Sequence, residues 1–252
     1  MTDDAPPLKT IQRAFEIMDV LKEQKEVGVA ELSRRLDLPK STVHDYLRTL
    51  RSMGYVINEN GSYRLGFQLL ELGGQVKYRN RLFHVAKPEL ERLVDKTGEL
   101  VSINVEERGR FVILHTEFGS ESLRLGIYPG LKTPIHTHAG GKVILAHLGE
   151  ERFREIIDEH GLEARTEHTI TDRSDLFETL TAIREREHAY DREERIKGLN
   201  CVAVPILSDD DIAGSLSVSG PVSRMDEDRI ESEILPELRR AANIIELNQT
   251  HS

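Results

Sequence analysis

Charged and hydroxylated side chains are concentrated between residues 39 and 48 in an arrangement that can bind anions. A cation at Lys40, an imidazole at His44 and a guanidinium at Arg48 surround two hydroxyls and a carboxylate. Apolar residues recur among them at the spacing of one helix face, at Val43, Tyr46, Leu47 and Leu50. Cations and hydroxyls on the opposite face of such a helix are groups that contact phosphates and base edges. The pattern predicts nucleic-acid contacts from Pro39, Lys40, Ser41, Thr42, His44, Asp45 and Arg48.

The elements that position this segment lie between residues 8 and 65. Apolar spacing predicts helices over 8–21, with Thr10 as an N-cap, and over 29–36, and residues 37–39 break the second of these. After the helix that begins near Lys40, residues 55–65 alternate around an Asn-Glu-Asn-Gly turn, which predicts a hairpin. Two helices about a tight turn followed by a hairpin form a winged helix-turn-helix, whose second helix enters the DNA major groove.

Two of these assignments have simpler alternatives. Ser41 or Thr42 could cap the helix without contacting DNA. Arg64, in the hairpin or wing, is predicted to reach the minor groove or the phosphate backbone, and its alternative is a solvated surface charge.

The remaining residues alternate between helix and strand patterns. A helix over 67–76 contains Gly73-Gly74, a predicted hinge, and an amphipathic stretch over 81–96 is predicted to be interrupted by Pro88. Strands are predicted at 100–105, 110–116, 122–127, 200–207 and 212–219, and helices at 140–147, 151–159, 174–187 and 226–247. Strands on either side of a helical region predict an α+β fold with a largely antiparallel sheet.

Two other groups of residues could support different chemistry. His136 and His138 would share a strand face, but no further ligands follow at the spacing of a metal site, so no metal or other cofactor is predicted. Cys201 could be the nucleophile of a hydrolase with an accessory helix-turn-helix. It lies in an apolar run without a nucleophile-elbow or Cys-His motif. The chain is therefore predicted not to be an enzyme, with the hydrolase as the alternative.

Composition adds constraints. The chain has 252 residues, a net charge of −10 and a single cysteine, and it lacks an apolar run long enough to span a membrane. Its start also lacks the apolar run of a signal peptide, so a cytoplasmic location is expected. Residues 1–80 contain 12 Lys+Arg and 11 Asp+Glu, a net of +1, so the acidic excess lies in the remainder. Acidity together with 24 Arg against 10 Lys suggests a salt-adapted organism.

Several motifs in order resemble the IclR-type transcriptional regulators over nearly the whole chain. They are Ile11–Ile17, Leu38–His44, Tyr63–Gly66, Pro134–Lys142, Gly198–Ile206 and Ser217–Pro221. The resemblance implies a winged helix-turn-helix domain (8–66), linker helices (67–97) and a GAF-like effector-binding domain (98–250). It implies regulation of catabolic genes through double-stranded DNA at a pseudo-palindromic operator, a small metabolite effector, and a homodimer or homotetramer.

The resemblance also implies an effector pocket, and two departures from the family pattern. The pocket positions are Leu125, Thr133, Ala139, Gly140, Asp191, Leu199, Cys201, Ser217 and Ser219. The alternative is that the serines are ordinary strand hydroxyls and that Cys201 is a small buried apolar residue. Asp191 would favour a hydroxylated or amine-bearing ligand over a bare carboxylate. Asp45 stands where the family usually has arginine, and Asp37 where it usually has glycine; Asp37 is expected to adopt the left-handed conformation there.

Overall fold

The computed structural model describes residues 8–24, 26–123, 126–209 and 211–250. The chain divides into two compact units, and the boundary in the sequence lies between Val76 and Lys77. The first is called the head and the second the C-terminal unit. None of the helices in the described ranges is long and apolar enough to cross a bilayer.

The head is a winged helix-turn-helix. Its elements in chain order are α1 (Lys9–Glu23), β1 (Val27–Gly28), α2 (Val29–Leu36), α3 (Lys40–Ser52), β2 (Val56–Glu59) and β3 (Ser62–Leu65). The three strands pair in the order β1-β3-β2. Asn60 and Gly61 both have positive φ, 54° and 92°, as a two-residue hairpin turn requires. The core joins all three helices to the sheet through Ile17, Leu32, Val43, Leu47, Val56 and Tyr63.

At the ends of the first two helices, one expectation is confirmed and one is wrong. Asp37 has φ 49° and ψ 48° at the end of α2, so the left-handed turn expected there is confirmed. The N-cap expected at Thr10 is wrong, because α1 begins at Lys9 and Leu8 occupies the cap without a side-chain hydrogen bond.

Two long helices follow the wing. The first, α4 (Gln68–Arg79), runs unbroken through Gly73-Gly74, so no break marks the predicted hinge. The next, α5 (Arg81–Thr97), also runs unbroken through Pro88, where an interruption was predicted. A proline removes one backbone hydrogen bond, and the buried face of α5 compensates by packing into the core through Leu82, Phe83, Ala86, Leu90 and Leu93.

The C-terminal unit is built on one six-stranded antiparallel sheet. Its strands are β4 (Leu100–Glu107), β5 (Arg110–Phe118), β6 (Lys132–Pro134), β7 (Ala189–Arg192), β8 (Leu199–Ser208) and β9 (Asp211–Pro221), in the order β6-β5-β4-β9-β8-β7. One face packs on α5 and α10 (Leu235–Thr250). The other packs on α6 (Ala139–His147), α7 (Glu150–His160) and α8 (Arg173–Arg186). The predicted α+β class, with an N-terminal winged helix-turn-helix and a C-terminal antiparallel sheet, is confirmed.

Two local predictions for this unit are wrong, and a third is confirmed with a local change. The described residues of 122–127 form no strand, and the φ of +66° at Gly126 fits a bend. The short edge strands β6, which pairs with β5, and β7, which pairs with β8, were not predicted. The helix expected over 226–247 is confirmed, and it contains a π-helical turn (Ile230–Ile234) between α9 (Glu227–Arg229) and α10. His136 lies in a 3-10 turn (Ile135–Thr137), and His138 caps α6, so the two are not on a strand.

Candidate functional sites: the exposed face of α3 and a buried polar cavity

The polar face of α3 is open to solvent. Val43, Leu47 and Leu50 anchor the helix in the head core. The opposite face carries exposed side chains at helical spacing, Ser41, His44, Asp45 and Arg48, with Lys40 exposed at its start. This arrangement brings five of the predicted contact residues onto one surface. Thr42 is half-buried and lies on the side of α3 that faces α1 and α4.

The first turn of α3 has no side-chain cap. Pro39 is the N-cap residue, and the backbone N–H of Val43 makes the first helical bond, at 3.1 Å to the carbonyl of Pro39. The alternative in which Ser41 or Thr42 caps the helix is therefore wrong. In the described part of the head, neither hydroxyl is engaged in a hydrogen bond, and the amide N–H groups of Lys40, Ser41 and Thr42 point out of the turn. An uncapped helix start of this kind is an anion-binding position.

Two arginines of the predicted contact set are held by carboxylates. Arg48 Nη2 lies 3.3 Å from Asp45 Oδ1 on the surface of α3. In the wing, Arg64 Nε donates to Glu59 Oε1 at 2.9 Å across the hairpin. Arg64 is therefore a paired, half-buried guanidinium at the surface of the wing, and both its DNA contact and its alternative as a solvated surface charge stay predictions.

The second site is a buried cavity between the sheet and the start of α6. Strand register places Asp191 opposite Cys201, Cys201 opposite Ser219, and Ser219 opposite Leu100. These side chains form a row across the face that α6 covers. The cavity holds about 20 Å³ and is lined by Leu100, Ser102, Phe111, Ile113, Ile127, His138, Gly140, Asp191, Arg195, Leu199, Cys201, Ser217 and Ser219.

The cavity gathers six of the nine residues that the resemblance pointed to. These are Gly140, Asp191, Leu199, Cys201, Ser217 and Ser219. Thr133 and Ala139 are neighbours and not lining residues: Thr133 Oγ1 lies 2.7 Å from His138 Nε2, and Ala139 is fully buried beside Gly140. Leu125 lies outside the described residues.

The sequence analysis did not identify several of the residues that line the cavity, although strand alternation could have indicated some of them. Ser102 lies directly opposite Ser217 in the sheet, so strand alternation could have placed its hydroxyl on the same face. Phe111, whose ring stacks on that of His138 with the two ring centroids 4.1 Å apart, likewise alternates along β5 with residues that are only partly buried. Arg195 lies in a loop, and no periodic pattern could have placed it.

Burial dominates the electrostatics of the cavity. It raises the pKa of Asp191 to about 7, and the charge of Glu194 adds to that rise. It also raises the pKa of the Cys201 thiol to about 12, and it holds the pKa of His138 well below its usual value. At neutral pH, Cys201 is therefore protonated and His138 is uncharged. A thiol of this kind is a poor nucleophile, which argues against the hydrolase alternative.

The cavity also contains a cation. Arg195 lines it together with Asp191, and burial lowers the pKa of the guanidinium while Asp191 opposes that shift. Asp191 alone would disfavour a carboxylate ligand, but Arg195 adds a positive charge to the same cavity. Because the carboxyl is partly protonated near pH 7 and a guanidinium lies beside it, the cavity can accept an acidic ligand.

Serine hydroxyls extend the polar character of the cavity beneath α6. Ser102 Oγ and Ser217 Oγ are 2.8 Å apart, and Asn104 Nδ2 donates to Ser217 Oγ at 3.1 Å. Asn104 Oδ1 and Ser215 Oγ are buried without a partner among the described atoms. A volume of about 20 Å³ accommodates roughly one water molecule, so a metabolite must displace lining side chains to enter.

This combination defines a class: a DNA-binding transcriptional regulator with a helix-turn-helix head and a separate C-terminal effector domain. Comparison with known proteins identifies the family. Residues 10–58 match the IclR helix-turn-helix domain, and residues 75–247 match the bacterial transcriptional regulator IclR C-terminal domain. The chain belongs to the IclR family of transcriptional regulators.

Individual relatives match over most of their length. The "Probable HTH-type transcriptional regulator ArcR" of Halobacterium salinarum is 31% identical over 245 residues, 95% of this chain and 93% of that protein. The regulator KdgR of Dickeya chrysanthemi is 32% identical over 241 residues, 94% and 79% of the two chains. The crystal structure of the Thermotoga maritima IclR matches with a TM-score of 0.78 at 29% identity, covering 95% of this chain and 98% of that one.

A further solved relative contains a small molecule. An IclR homologue from Microbacterium hydrocarbonoxydans, complexed with 4-hydroxybenzoate, matches with a TM-score of 0.80 at 25% identity. The match covers 95% of this chain and 98% of the homologue.

Proposed function

We propose that this protein binds a pseudo-palindromic operator at catabolic genes in the cytoplasm, and that a small metabolite in the C-terminal cavity tunes the binding. The observation that carries the proposal is the exposed, uncapped start of α3, where free amides and hydroxyls adjoin Lys40. In helix-turn-helix proteins this part of the second helix lies in the major groove. The hydroxyl of Thr42 contributes from the edge of the surface. The full set of proposed DNA contacts is Pro39, Lys40, Ser41, Thr42, His44, Asp45, Arg48 and Arg64.

Variants of the first turn test the DNA-binding surface. Replacing Lys40 and Ser41 together with alanine removes one cation and one donor from each copy of α3. We expect operator affinity to fall about tenfold or more, and the slope of log affinity against log salt to decrease by about one per lost phosphate contact. Fluorescence anisotropy with duplexes selected by the full-length protein measures both quantities.

The matched control for this experiment is Lys22→Ala. Lys22 is an exposed cation in the last turn of α1. If the double variant binds the selected duplex as tightly as the Lys22 variant does, the assignment of α3 is wrong.

The effector site is proposed to consist of the cavity-lining residues together with Thr133, Ala139 and Leu125. A ligand that binds the two functional states with different affinity need contribute only ~1–3 kcal/mol of coupling to change operator affinity by about 5–150-fold. A cavity with a cation, hydroxyls and a titrating carboxyl suits a small polar metabolite. The homologue with 4-hydroxybenzoate supports a ligand of this size in this fold.

The proposed homodimer or homotetramer is supported by apolar surface on the head. Ile11 and Phe15 of α1 and Leu72 of α4 are all substantially exposed. No residue of α4 is buried. Its apolar side chains at Leu70 and Val76 are 69% and 73% exposed. Apolar patches of this kind mark protein contact sites, and a second copy of the chain would supply the second half-site contact.

Sedimentation velocity of the full chain tests this assembly. We expect a mass of two or four times 28.6 kDa, and we expect Leu70→Glu to weaken association because it places a charge in the apolar contact. Gln75→Glu, at an exposed polar position of the same helix, is the control. A monomer for the unmodified chain at micromolar concentration contradicts the proposal.

A further inference from the structure

Carboxylates are distributed over the proposed DNA-contacting surface in an unexpected way. Arg48 is paired with Asp45, Arg64 with Glu59, and Arg34 and Arg35 with Glu31. Each of these arginines lies in α2, α3 or the wing, the elements that approach DNA in this architecture. A surface built only for phosphate attraction would leave its guanidinium groups unpaired.

The pair on α3 lies in the centre of this surface. Asp45 and Arg48 are one helical turn apart, and their side chains are 68% and 75% exposed. Their backbone is fixed, because Leu47 between them is fully buried and Thr49 Oγ1 donates to the carbonyl of Asp45 at 2.9 Å. The carboxylate approaches one terminal nitrogen, Nη2, of the guanidinium. Since a guanidinium carries five N–H donors, Arg48 keeps donors free for a second partner.

The Asp45 carboxylate has opposite effects on contacts to the DNA phosphates and on contacts to the bases. A carboxylate repels phosphates, so Asp45 lowers the sequence-independent part of the affinity. In solution an exposed pair of this kind contributes little stability. In a DNA groove from which water is displaced, the ion pair between Asp45 and Arg48 becomes stronger. The pair then restrains the Arg48 side chain, which would otherwise move from one phosphate to another. A restrained arginine donates two parallel hydrogen bonds to the O6 and N7 atoms of guanine.

We propose that Asp45 is a positioning and specificity-determining residue, which holds Arg48 for a guanine edge and withholds it from the phosphate backbone. The inference rests on the proposed function, in which α3 enters the major groove. The overall charge points the same way: residues 1–80 carry a net of only +1 and the whole chain carries −10. Long-range attraction to DNA is therefore weak, and discrimination depends on directed contacts.

The test compares four variants of the full-length protein, Asp45→Asn, Arg48→Ala, the double variant and Asp19→Asn. Asp19 is an exposed carboxylate on α1, and its variant makes the same change in charge away from α3. Affinities for a selected operator and for a scrambled duplex of equal length are measured by fluorescence anisotropy over a series of KCl concentrations.

The expected result is a loss of discrimination. Asp45→Asn should tighten binding to the scrambled duplex, steepen its salt slope by about one per protomer, and reduce the ratio of operator to scrambled affinity at least about fivefold. Arg48→Ala should reduce that ratio as well, and the effect of Asp45→Asn should disappear in the Arg48→Ala background.

Other outcomes overturn specific steps. If Asp45→Asn behaves like Asp19→Asn, or if its effect persists without Arg48, Asp45 acts only through its charge and the inference is wrong. If Arg48→Ala leaves both duplexes bound as before, the proposed α3 surface is wrong, and the inference about Asp45 is wrong with it.

Discussion

Replacing Asp191 with asparagine is expected to make the protein more stable above pH 7 and to weaken its response to effector. The side chain is 3% exposed, and burial raises the pKa of its carboxyl to about 7. Oδ1 accepts a hydrogen bond from the backbone N–H of Glu194 at 2.7 Å, and an asparagine oxygen can accept the same bond. The substitution therefore removes the ionisation and conserves the shape.

The sign of the pH dependence follows from the direction in which the pKa moves. The carboxyl has a pKa near 3.9 in an unfolded chain and a higher one in the folded protein, so the folded state retains a proton that the unfolded state releases. Relative to the variant, the wild-type protein is most stable at or below pH 4. It loses that stability as the pH rises to 7, and the difference is constant above. A pKa raised to about 7 corresponds to a loss of about 4 kcal/mol, an upper limit for a group that has compensating hydrogen bonds.

Urea unfolding at pH 5, 6, 7 and 8 measures this difference. Asp172→Asn is a control with the opposite expectation, because hydrogen bonds from Ser174 and Asp175 lower the pKa of the exposed Asp172 carboxylate. Its contribution to stability is present at neutral pH and is lost as the pH falls. A pH-independent difference between wild type and Asp191→Asn would show that the Asp191 carboxyl ionises normally in the folded protein.

The predicted loss of effector response is tested by a thermal-shift screen of small organic metabolites. A ligand that stabilises the wild-type protein should stabilise Asp191→Asn less, because the asparagine cannot exchange a proton with the ligand or accept with two oxygens. A buried ionisable group that costs stability and lies in a cavity is typical of a functional site. If a ligand raises the Tm of both proteins equally, Asp191 is not part of the effector site.

The head was the more predictable of the two units because its signals are local. The helix-spaced residues Val43 and Leu47 and the turn at Asn60-Gly61 each depend on a few adjacent residues, and all formed as expected. The pair between Asp45 and Arg48 also has local i, i+3 spacing, so it could have been inferred from the sequence. The sequence does not show that the pair lies on the exposed face of α3. The packing of Leu47 into the core of the head shows this.

The C-terminal unit depends on contacts between residues far apart in sequence. The edge strand β7 has only four residues, Ala189–Arg192, and two of them are charged, so it carries little strand pattern of its own. It forms because Asp191 pairs with Cys201 in the register set by β8. Arg195 lies in the loop that follows β7, and it lines the cavity. Family resemblance supplied six of the thirteen cavity-lining residues, and composition or periodicity alone supplied none.

Replacing Lys142 with methionine is expected to destabilise the C-terminal unit strongly. Lys142 lies in α6, and its side chain is 3% exposed; it is paired with Glu194, whose side chain is 10% exposed. The second carboxylate oxygen of Glu194 is buried and has no partner in the described structure, so the ammonium is the main compensation for its charge. Removing one partner of a buried ion pair costs about 3–5 kcal/mol. For a chain of this size that is a decrease in Tm on the order of 10 °C.

Differential scanning fluorimetry of three variants separates the loss of the pair from the loss of packing. Arg154→Met removes the exposed partner of Glu150 and should change Tm little. Lys142→Met combined with Glu194→Leu should recover much of the stability, because neither member of the pair then leaves the other as an unpaired buried charge. Equal Tm values for the single and double variants of the buried pair would instead attribute the loss to the packing of the lysine side chain.

The same pair should influence the effector cavity, because Glu194 belongs to the segment that surrounds Asp191. The backbone N–H of Glu194 donates to Asp191, and its carbonyl accepts from the Thr169 hydroxyl at 2.6 Å. Glu194 also contributes to the raised pKa of Asp191. Without the anchoring ammonium, the segment loses its tie to α6, and the hydrogen bond to Asp191 is no longer held in place. Lys142→Met should therefore reduce ligand-induced thermal shifts as well as Tm, whereas Arg154→Met should leave both unchanged.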